Sequence, residues 1–357
     1  MRSRMGRATA AVTLGGLLAA GCGGGGDGGT SGAAAAGKDG AAGYPVTVTD
    51  CKGARTTFTS APKNIVTSNA SSLELLLRLG ADDLVMGTGF PPGKGAFPGG
   101  LDARAQRVKV LGKAVIPKEK LLGSGADLYI DSFASMNMAG MGESPSEAEF
   151  KAAGIKHTFL KSTACAAAKK QPLTDLSAVQ DDVTTLGAIT GRRAKAEELV
   201  TAMRTKVDAV RKAVGATPEA ERPTYFFFDY DAGTKQPIAF CNRQIANAVI
   251  TLAGARNVFA DCDGDYRPVG WEDVIAKNPD WIQLGVRNRG DKAANDKAFD
   301  EARRWLETNA ATKGLKAVKE GRFLRIGSER TTIGGVSNAD TVEEIAKTLY
   351  PGRIGRP

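Results

Sequence analysis

One stretch of the chain decides the fold: GRRAKAEELVTAMRTKVDAVRKAV, which runs from Gly191 to Val214. Good helix formers dominate it, and no proline interrupts it. Its apolar side chains recur at steps of three or four and so mark one stripe on a helix; they are Ala196, Leu199, Val200, Met203, Val207, Val210 and Val214. Such a helix spans roughly 35 Å at 1.5 Å per residue. We therefore predict one long helix that separates two halves of the chain.

Both halves alternate short apolar runs with amphipathic segments. In the first half, a hairpin is predicted at Val46–Val48 and Thr56–Phe58, strands at Lys63–Thr67, Leu84–Thr88, Asp127–Asp131 and His157–Leu160, and helices after Ser71, at Pro117–Leu122 and at Pro145–Ala153. In the second half, strands are predicted at Thr224–Phe228, Asn257–Ala260, Asp280–Leu284 and Arg322–Ile326, and helices at Arg243–Leu252, Trp271–Lys277, Asp296–Glu307, Ala311–Lys319 and Asn338–Tyr350. Alternation of this kind predicts an α/β fold with a parallel sheet in each half. Ligands of such sheets bind beyond the carboxyl ends of the strands.

The N-terminus has the pattern of a secretion signal. Arg2, Arg4 and Arg7 precede a short run of small and apolar residues that is too short to span a bilayer, and Cys22 follows directly. This pattern resembles a bacterial lipoprotein signal, which implies cleavage after residue 21 and a lipid on Cys22. The Gly/Ala-rich residues 22–43 are predicted to be a flexible tether. The domains expected beyond it are a first lobe at 44–172, a helical connector at 173–215 and a second lobe at 216–357.

The other four cysteines, Cys51, Cys165, Cys241 and Cys262, are an even number in a chain with a secretion signal, which favours disulfides. Three pairings are possible. We favour Cys51–Cys165 with Cys241–Cys262, because each bridge then stays within one half and leaves the halves free to move.

Composition argues against several functions. Hydrophobic residues make up 42 % of the 357-residue chain, which is typical of globular proteins, and the net charge of +9 is spread along the sequence rather than clustered. We therefore expect no nucleic-acid binding. Only one histidine, His157, is present, so a histidine metal site is excluded and His157 is expected to be structural. Neither GxSxG nor HExxH occurs, and Ser60–Lys63 fits SxxK without its partner motifs.

Two segments contain possible metal ligands, although a metal site is not the preferred interpretation of either. Carboxylates alternate from Asp261 to Asp265, but the glycine position of a calcium loop holds Tyr266, so a polar loop is the preferred interpretation. Met136, Met138 and Met141 could ligate copper(I), although apolar packing is the preferred role. We expect no bound metal, no cofactor and no enzymatic activity.

An ordered series of segments resembles a known family. In the first half these are "APKNIVTSNASSLELLLRLGADDLVMGTG" and "ADLYIDS". In the second half they are "RPTYFFFDYDAG", "ANAVITLAGARNVFAD", "VGWEDVIAKNPDWIQL" and "LKAVKEGRFLRI". The series is similar to class III substrate-binding proteins, which serve ABC importers of iron–siderophores, cobalamin and haem. The resemblance implies two Rossmann-like lobes with central parallel sheets, joined by one long interlobe helix.

A ligand site is expected between the lobes. Phe90 and Phe133 from the first half, with Tyr230 and Trp271 from the second, would form apolar walls. Arg287, Arg289 and Arg330 could bind carboxylates or metal-bound oxygens. The alternatives are core packing for the aromatic residues and solvated surface positions for the arginines. An aromatic residue at Trp271 also resembles the cleft walls of siderophore-binding relatives.

The resemblance further implies docking to a permease through one exposed glutamate on each lobe. Glu74 stands at the first-lobe position, whereas the second-lobe position holds Ala248. The hypothesis from the sequence is a monomeric, lipid-anchored receptor that captures a ferric siderophore outside the cytoplasm and delivers it to an ABC permease with its ATPase. The alternatives are a corrinoid or haem ligand, or a sensor or enzyme on the same scaffold.

Overall fold

The computed structural model describes residues 43–51, 53–133, 144–215, 217–232 and 235–354. The predicted signal, the lipidation residue Cys22, most of the tether and the three methionines of residues 134–143 lie outside the described residues. Among the helices of the described residues, none is both long enough and apolar enough to span a bilayer.

The first lobe is built on a four-stranded parallel sheet in the order β4–β3–β5–β6. A separate antiparallel hairpin, β1–β2, precedes it. The elements of this lobe are β1 (Val46–Thr49), β2 (Arg55–Phe58), β3 (Ile65–Thr67), α1 (Ala70–Arg78), β4 (Val85–Thr88), α2 (Gly100–Ala105), α3 (Lys118–Leu122), β5 (Leu128–Asp131), α4 (Glu147–Ala152), β6 (Lys156–Phe159) and α5 (Lys161–Ala164).

Two antiparallel-packed helices, α6 (Ser177–Ile189) and α7 (Arg193–Val214), lead to the second lobe. Its four-stranded parallel sheet has the order β12–β11–β7–β9. Its elements are β7 (Thr224–Asp229), β8 (Ile238–Phe240), α8 (Ile245–Leu252), β9 (Arg256–Asn257), β10 (Tyr266–Pro268), α9 (Trp271–Lys277), β11 (Trp281–Gly285), α10 (Lys292–Thr308), α11 (Lys316–Lys319), β12 (Phe323–Leu324), α12 (Ser328–Thr332) and α13 (Ser337–Leu349). The predicted α/β fold with two parallel sheets is confirmed.

The long helix α7 follows the prediction within two residues. It begins at Arg193 because Gly191 has a left-handed φ of 71° that ends the preceding turn. The predicted stripe is buried, except for the partly buried Leu199. This face packs on α6 and α13, and the resulting apolar core runs without a break from the sheet of the first lobe to the helices of the second. The helix is therefore embedded in the core and is not an isolated strut.

Helix α1 begins earlier than the sequence pattern indicated. We predicted a helix after Ser71, but the N-cap is Asn69, whose side chain accepts a hydrogen bond from the backbone N–H of Ser72 at 3.0 Å. The chain passes directly from β3 into this cap, because Asn69 adopts an extended backbone. The helix runs from Ala70 to Arg78, and Gly80, with a left-handed φ of 70°, ends it.

We expect Asn69→Ala to lower the free energy of unfolding by about 1–2 kcal/mol, because the first turn of α1 loses its side-chain acceptor. Asn69→Ser keeps an oxygen at the cap and should lose only a fraction of that stability. Urea unfolding followed by circular dichroism checks both variants. Equal losses for alanine and serine would contradict a capping role.

Three predicted elements of the second lobe are shorter than expected, among them the strand predicted at Arg322–Ile326, which is limited to β12. The strand predicted at Asn257–Ala260 pairs only as far as Asn257, because the Asn257 side chain accepts from the N–H of Phe259 at 3.0 Å and turns the chain. The helix predicted at Ala311–Lys319 is limited to α11, since Asn309 makes the same kind of turn with the N–H of Ala311. The antiparallel pair β8–β10, whose strands are separated in the sequence by α8 and β9, was not predicted.

Candidate functional site

The carboxyl ends of β3, β4 and β5 form one polar edge of the first lobe. The N–H of Ser132 donates to Ser68 Oγ at 2.9 Å, and the N–H of Ala70 donates to the carbonyl of Phe90 at 3.0 Å. Phe90 has a φ of 31°, a backbone conformation that residues other than glycine rarely adopt. These bonds hold the loops after the three strands in one fixed arrangement.

The same edge brings together two of the predicted ligand residues. The rings of Phe90 and Phe133 meet edge to face, with their centroids 5.4 Å apart, and both side chains are partly exposed. An aromatic pair at the end of a parallel sheet is a surface suited to the apolar part of a ligand. We call this pair the phenylalanine wall.

In the second lobe, the predicted aromatic residues contact other groups of the protein instead of forming an open wall. Trp271 is 8 % exposed and packs on Phe228 and Trp305, with ring centroids 5.3 and 5.5 Å away. Its indole N–H donates to the carbonyl of Lys235 at 3.2 Å. In this structure Trp271, the first residue of α9, faces the aromatic strand β7 and completes the core instead of forming an open wall, so its contact with a ligand stays a prediction.

Tyr230 lies just beyond the end of β7 and is partly exposed. The ammonium group of Lys235 lies 3.4 Å from the centroid of its ring and also donates to its backbone carbonyl. A cation–π contact of this kind covers one face of the ring. Tyr230 is therefore close to the predicted cleft, but one of its faces is occupied by the protein's own lysine.

The three predicted arginines all contact carboxylates of their own lobe. Arg289 forms an ion pair with Asp231, and Arg287 lies 3.8 Å from Asp229. Arg330 pairs with Glu344 of α13 at 2.7 Å. Arg287 and Arg289 thus belong to one charged cluster at the ends of β7 and β11, whereas Arg330 is tied to a neighbouring helix.

Prediction from the sequence missed the acidic members of this cluster. Burial raises the pKa of Asp229, although Arg287 acts in the opposite direction. Burial also raises the pKa of Glu329, which accepts a hydrogen bond from the N–H of Asn288 at 3.3 Å. The available signal was position alone: both acids follow predicted strands, as do the arginines.

Several buried polar atoms at the strand ends lack a hydrogen-bond partner among the described residues. In the first lobe this is Asn69 Nδ2, just after β3. In the second lobe they are Asp229 Oδ1, at the end of β7, and Ser328 Oγ, just after β12. Buried polar groups in folded proteins are nearly always paired, with protein, with water or with a ligand. Unsatisfied groups at the carboxyl ends of both sheets mark these ends as the candidate binding surface.

The two lobes touch on both sides of this surface. The loop after Phe90 approaches the loop after β11 so closely that a Cβ atom on Gly93 would lie 2.5 Å from Asn288 Oδ1. At the other side, Ser71 Oγ donates to the carbonyl of Gly334 at 2.7 Å. The candidate site therefore lies between the lobes, where loops that follow the carboxyl ends of the two sheets meet.

Comparison with known proteins fits this geometry. Residues 65–329 match the family described as periplasmic binding protein, which is well over half of the chain. The chain belongs to this family.

The individual relatives of this periplasmic binding protein share about a quarter of its sequence. An uncharacterised ABC transporter substrate-binding lipoprotein, YvrC of Bacillus subtilis, is 26 % identical over 96 % of both chains. A cobalamin-binding protein of Halobacterium salinarum is 27 % identical over 70 % of this chain, a match that covers 61 % of the relative. The structure named as an ABC-type Fe3+-hydroxamate transport system from Saccharomonospora viridis superposes with a TM-score of 0.69 at 23 % identity, over 86 % of this chain and 99 % of the other.

Glu74 does not have the exposure expected of a docking residue. Its side chain is 7 % exposed and bonds the guanidinium group of Arg78 at 2.6 and 2.7 Å. Its second oxygen accepts from Ser337 Oγ of α13 at 3.4 Å. In this periplasmic binding protein Glu74 links the two lobes, and Ala248, at the second-lobe position, is fully buried. Glu74 is therefore buried instead of exposed in this structure, and its role in docking stays a prediction.

The remaining predictions concern cysteines and possible metal ligands. The disulfides are Cys51–Cys165 and Cys241–Cys262, which is the favoured pairing. His157 is buried against Phe150, and its Nδ1 lies 2.7 Å from Glu147. Burial alone would lower its pKa, but hydrogen bonds with Asp131 and Glu147 raise it.

The acidic segment beginning at Asp261 is engaged with basic side chains. Asp261 bonds Lys277, and Asp263 bonds Arg243, each at 2.8 Å. Within the described residues, His, Cys, Asp and Glu side chains form no cluster able to hold a metal ion.

Proposed function

We propose that this chain is the substrate-binding protein of an ABC importer, anchored to the outer face of the cell membrane through a lipid on Cys22. It captures a ferric siderophore between its lobes and delivers it to a permease coupled to an ATPase. The observation that carries this proposal is the pair of facing sheet ends, which bear the phenylalanine wall and buried polar atoms without partners. A lipid anchor is supported by the arginine-rich N-terminus with its cysteine and by the lipoprotein relative.

The choice of a ferric siderophore is supported by the structural neighbour named for Fe3+-hydroxamate transport. Such a chelate has an apolar scaffold and a polar, metal-bound oxygen shell. The phenylalanine wall suits the scaffold, and the unpaired Asn69 amide and Ser328 hydroxyl suit the oxygens. A corrinoid is the second candidate, because a relative is named as cobalamin-binding.

Two titrations separate these ligands. We expect a ferric hydroxamate to quench the emission of the purified protein, since Trp271 and Trp305 lie in the second-lobe core next to Tyr230. The metal-free hydroxamate is the control for non-specific quenching. Equilibrium dialysis with cyanocobalamin, followed by its visible absorption, tests the second candidate. Retention of neither a ferric chelate nor a corrinoid would contradict the proposed function.

We expect replacement of both Phe90 and Phe133 by alanine to weaken binding of that chelate by about 10- to 100-fold, because each aromatic contact contributes about 0.5–1.5 kcal/mol beyond its buried area. Tyr266→Ala is the matched control, since Tyr266 is an aromatic residue that is 50 % exposed on the separate two-stranded sheet of β8 and β10. Isothermal titration calorimetry gives both affinities. Equal affinity for the double variant and the control would place the ligand away from the phenylalanine wall.

A further inference from the structure

The turn between α12 and α13, residues 333–336, belongs to the second lobe but rests on the first. The carbonyl of Gly334 accepts from Ser71 Oγ at 2.7 Å, and its N–H donates to Thr163 Oγ1 at 3.1 Å. Both backbone polar groups of a single residue are therefore satisfied by side chains of the opposite lobe. We call these contacts the interlobe seat.

The second-lobe side of the seat is rigid. Asn338 is fully buried, and its amide group donates to the carbonyls of Arg330 and Ile333 at 2.9 and 3.0 Å. Its oxygen accepts from the N–H of Gly335 at 2.8 Å. The turn thus cannot move without α12 and α13, and it carries the orientation of the second lobe.

The first-lobe side is held with equal firmness. Ser71 lies within α1, and Thr163 lies in the short helix α5. The first turn of α5 is fixed by the buried carboxylate of Asp182, which accepts from the N–H groups of Lys161 and Ser162 at 2.8 and 2.9 Å. The seat therefore joins two firmly held surfaces, so a displacement within it has to move the lobes.

Gly334 occupies the tightest point of this contact. A Cβ atom there would lie 2.2 Å from Ser162 Oγ, 2.8 Å from Ser162 Cβ and 3.1 Å from Thr163 Oγ1, whereas ordinary contact begins near 3.4 Å. Its φ lies outside the left-handed range, so the backbone conformation itself would accept alanine. Close approach of the lobes is therefore what requires a glycine at this position.

We infer that Gly334 is a positioning residue that sets the angle between the lobes and hence the width of the cleft. The seat adjoins the ends of both sheets: Ser71 and Ser162 follow β3 and β6 of the first sheet, and the turn that carries Gly334 follows β12 of the second sheet through α12. Added volume at residue 334 acts as a wedge that separates these ends. The inference about the interlobe angle stands on the contacts alone, whereas its effect on ligand capture rests on the proposed function.

The test compares Gly334→Ala with a variant that restores the space. Ser162→Gly removes the two atoms nearest to the added methyl group, so Gly334→Ala combined with Ser162→Gly should return the lobes to their original angle. Gly314→Ala is the matched control, because a Cβ atom there meets nothing within 4 Å and its φ is also outside the left-handed range. Genetically encoded spin labels at the exposed Lys113 and Lys292 report the distance between lobes without using thiol chemistry.

We expect the mean distance between labels to increase by at least about 1 Å in Gly334→Ala, which is the separation needed to relieve the clash. The double variant and Gly314→Ala should keep the original distance. An unchanged distance in Gly334→Ala, or no return in the double variant, would overturn the inference. This readout needs no ligand, so it is independent of whether the proposed function is correct.

Calorimetric titration of the same variants with a ferric hydroxamate extends the test to the cleft. We expect Gly334→Ala to bind the ferric hydroxamate at least about 10-fold more weakly, which corresponds to the loss of one favourable contact between the ligand and the protein. The double variant should recover the wild-type affinity. If the lobes separate while affinity stays unchanged, the link between the seat and ligand capture is overturned. If the wild-type protein binds no probe, the proposed function fails while the distance measurement still decides the role of the seat.

Discussion

Replacing Cys51 and Cys165 together with alanine is expected to lower the free energy of unfolding by about 4–5 kcal/mol. In the chain-entropy account, a disulfide stabilises a protein by restricting its unfolded state, and the effect grows with the length of the closed loop. These two cysteines are 114 residues apart in the sequence. The bridge also fastens the β1–β2 hairpin to the residue directly after α5, the helix that carries the first-lobe side of the interlobe seat.

The second disulfide supplies a control within the same chain. Cys241 and Cys262 are only 21 residues apart, so the same relation predicts a loss of about 3 kcal/mol for their double alanine variant. The difference of about 1.5 kcal/mol reflects loop length alone. Urea unfolding of both variants, with the oxidised wild type as reference, measures it. A larger loss for the short loop would show that packing of the buried Cys241 and Cys262 outweighs loop entropy.

The architecture could be predicted because it depends on periodic and local signals. Several residues in a row carry the signal for each of the main elements. These are the apolar stripe of α7 and the apolar runs of β3, β5, β7 and β11. The helices α2, α5 and α12, which were not predicted, are four to six residues long. Helices of that length show too little periodicity to be recognised and are stabilised by their tertiary surroundings.

The location of the candidate site was also predictable, since the ends of parallel strands follow from topology. The orientation of individual side chains was not. Trp271 is turned inward by the aromatic residues of β7, and Glu74 is bonded by Ser337, which is 263 residues away in the sequence. Partners of this kind are set by tertiary packing, which a single sequence does not contain. Gly334 shows the same limit, because its role depends on Ser162 in the opposite lobe.

Asp182→Ala is expected to destabilise the protein by about 2–5 kcal/mol, because two buried N–H groups lose their acceptor at about 1–3 kcal/mol each. These groups belong to Lys161 and Ser162, in the first turn of α5. Asp182→Asn keeps the shape of the side chain and one acceptor oxygen, and should be less harmful. Chemical unfolding at pH 7 compares the two variants.

The pH dependence of these variants tests the buried charge of Asp182. Burial raises the pKa of Asp182 to about 6, although hydrogen bonds from Ser162 and Lys161 act in the opposite direction. In the unfolded chain an aspartate has a pKa of about 3.9. Because the folded state binds its proton more tightly, this group's contribution to stability is complete below about pH 3.9 and is lost as the pH rises through about 6. At pH 7 that loss amounts to about 3 kcal/mol.

Asp182→Asn cannot ionise, so the stability advantage of the wild type over this variant should shrink by up to that amount between pH 4 and pH 7. Asp265, whose pKa burial also raises to about 6, is present in both proteins and cancels in the difference. Parallel stability profiles would show that Asp182 is ionised throughout this range. In that case the carboxylate's hydrogen bonds to the first turn of α5 outweigh its loss of hydration, and the first-lobe side of the interlobe seat keeps its support at every pH tested.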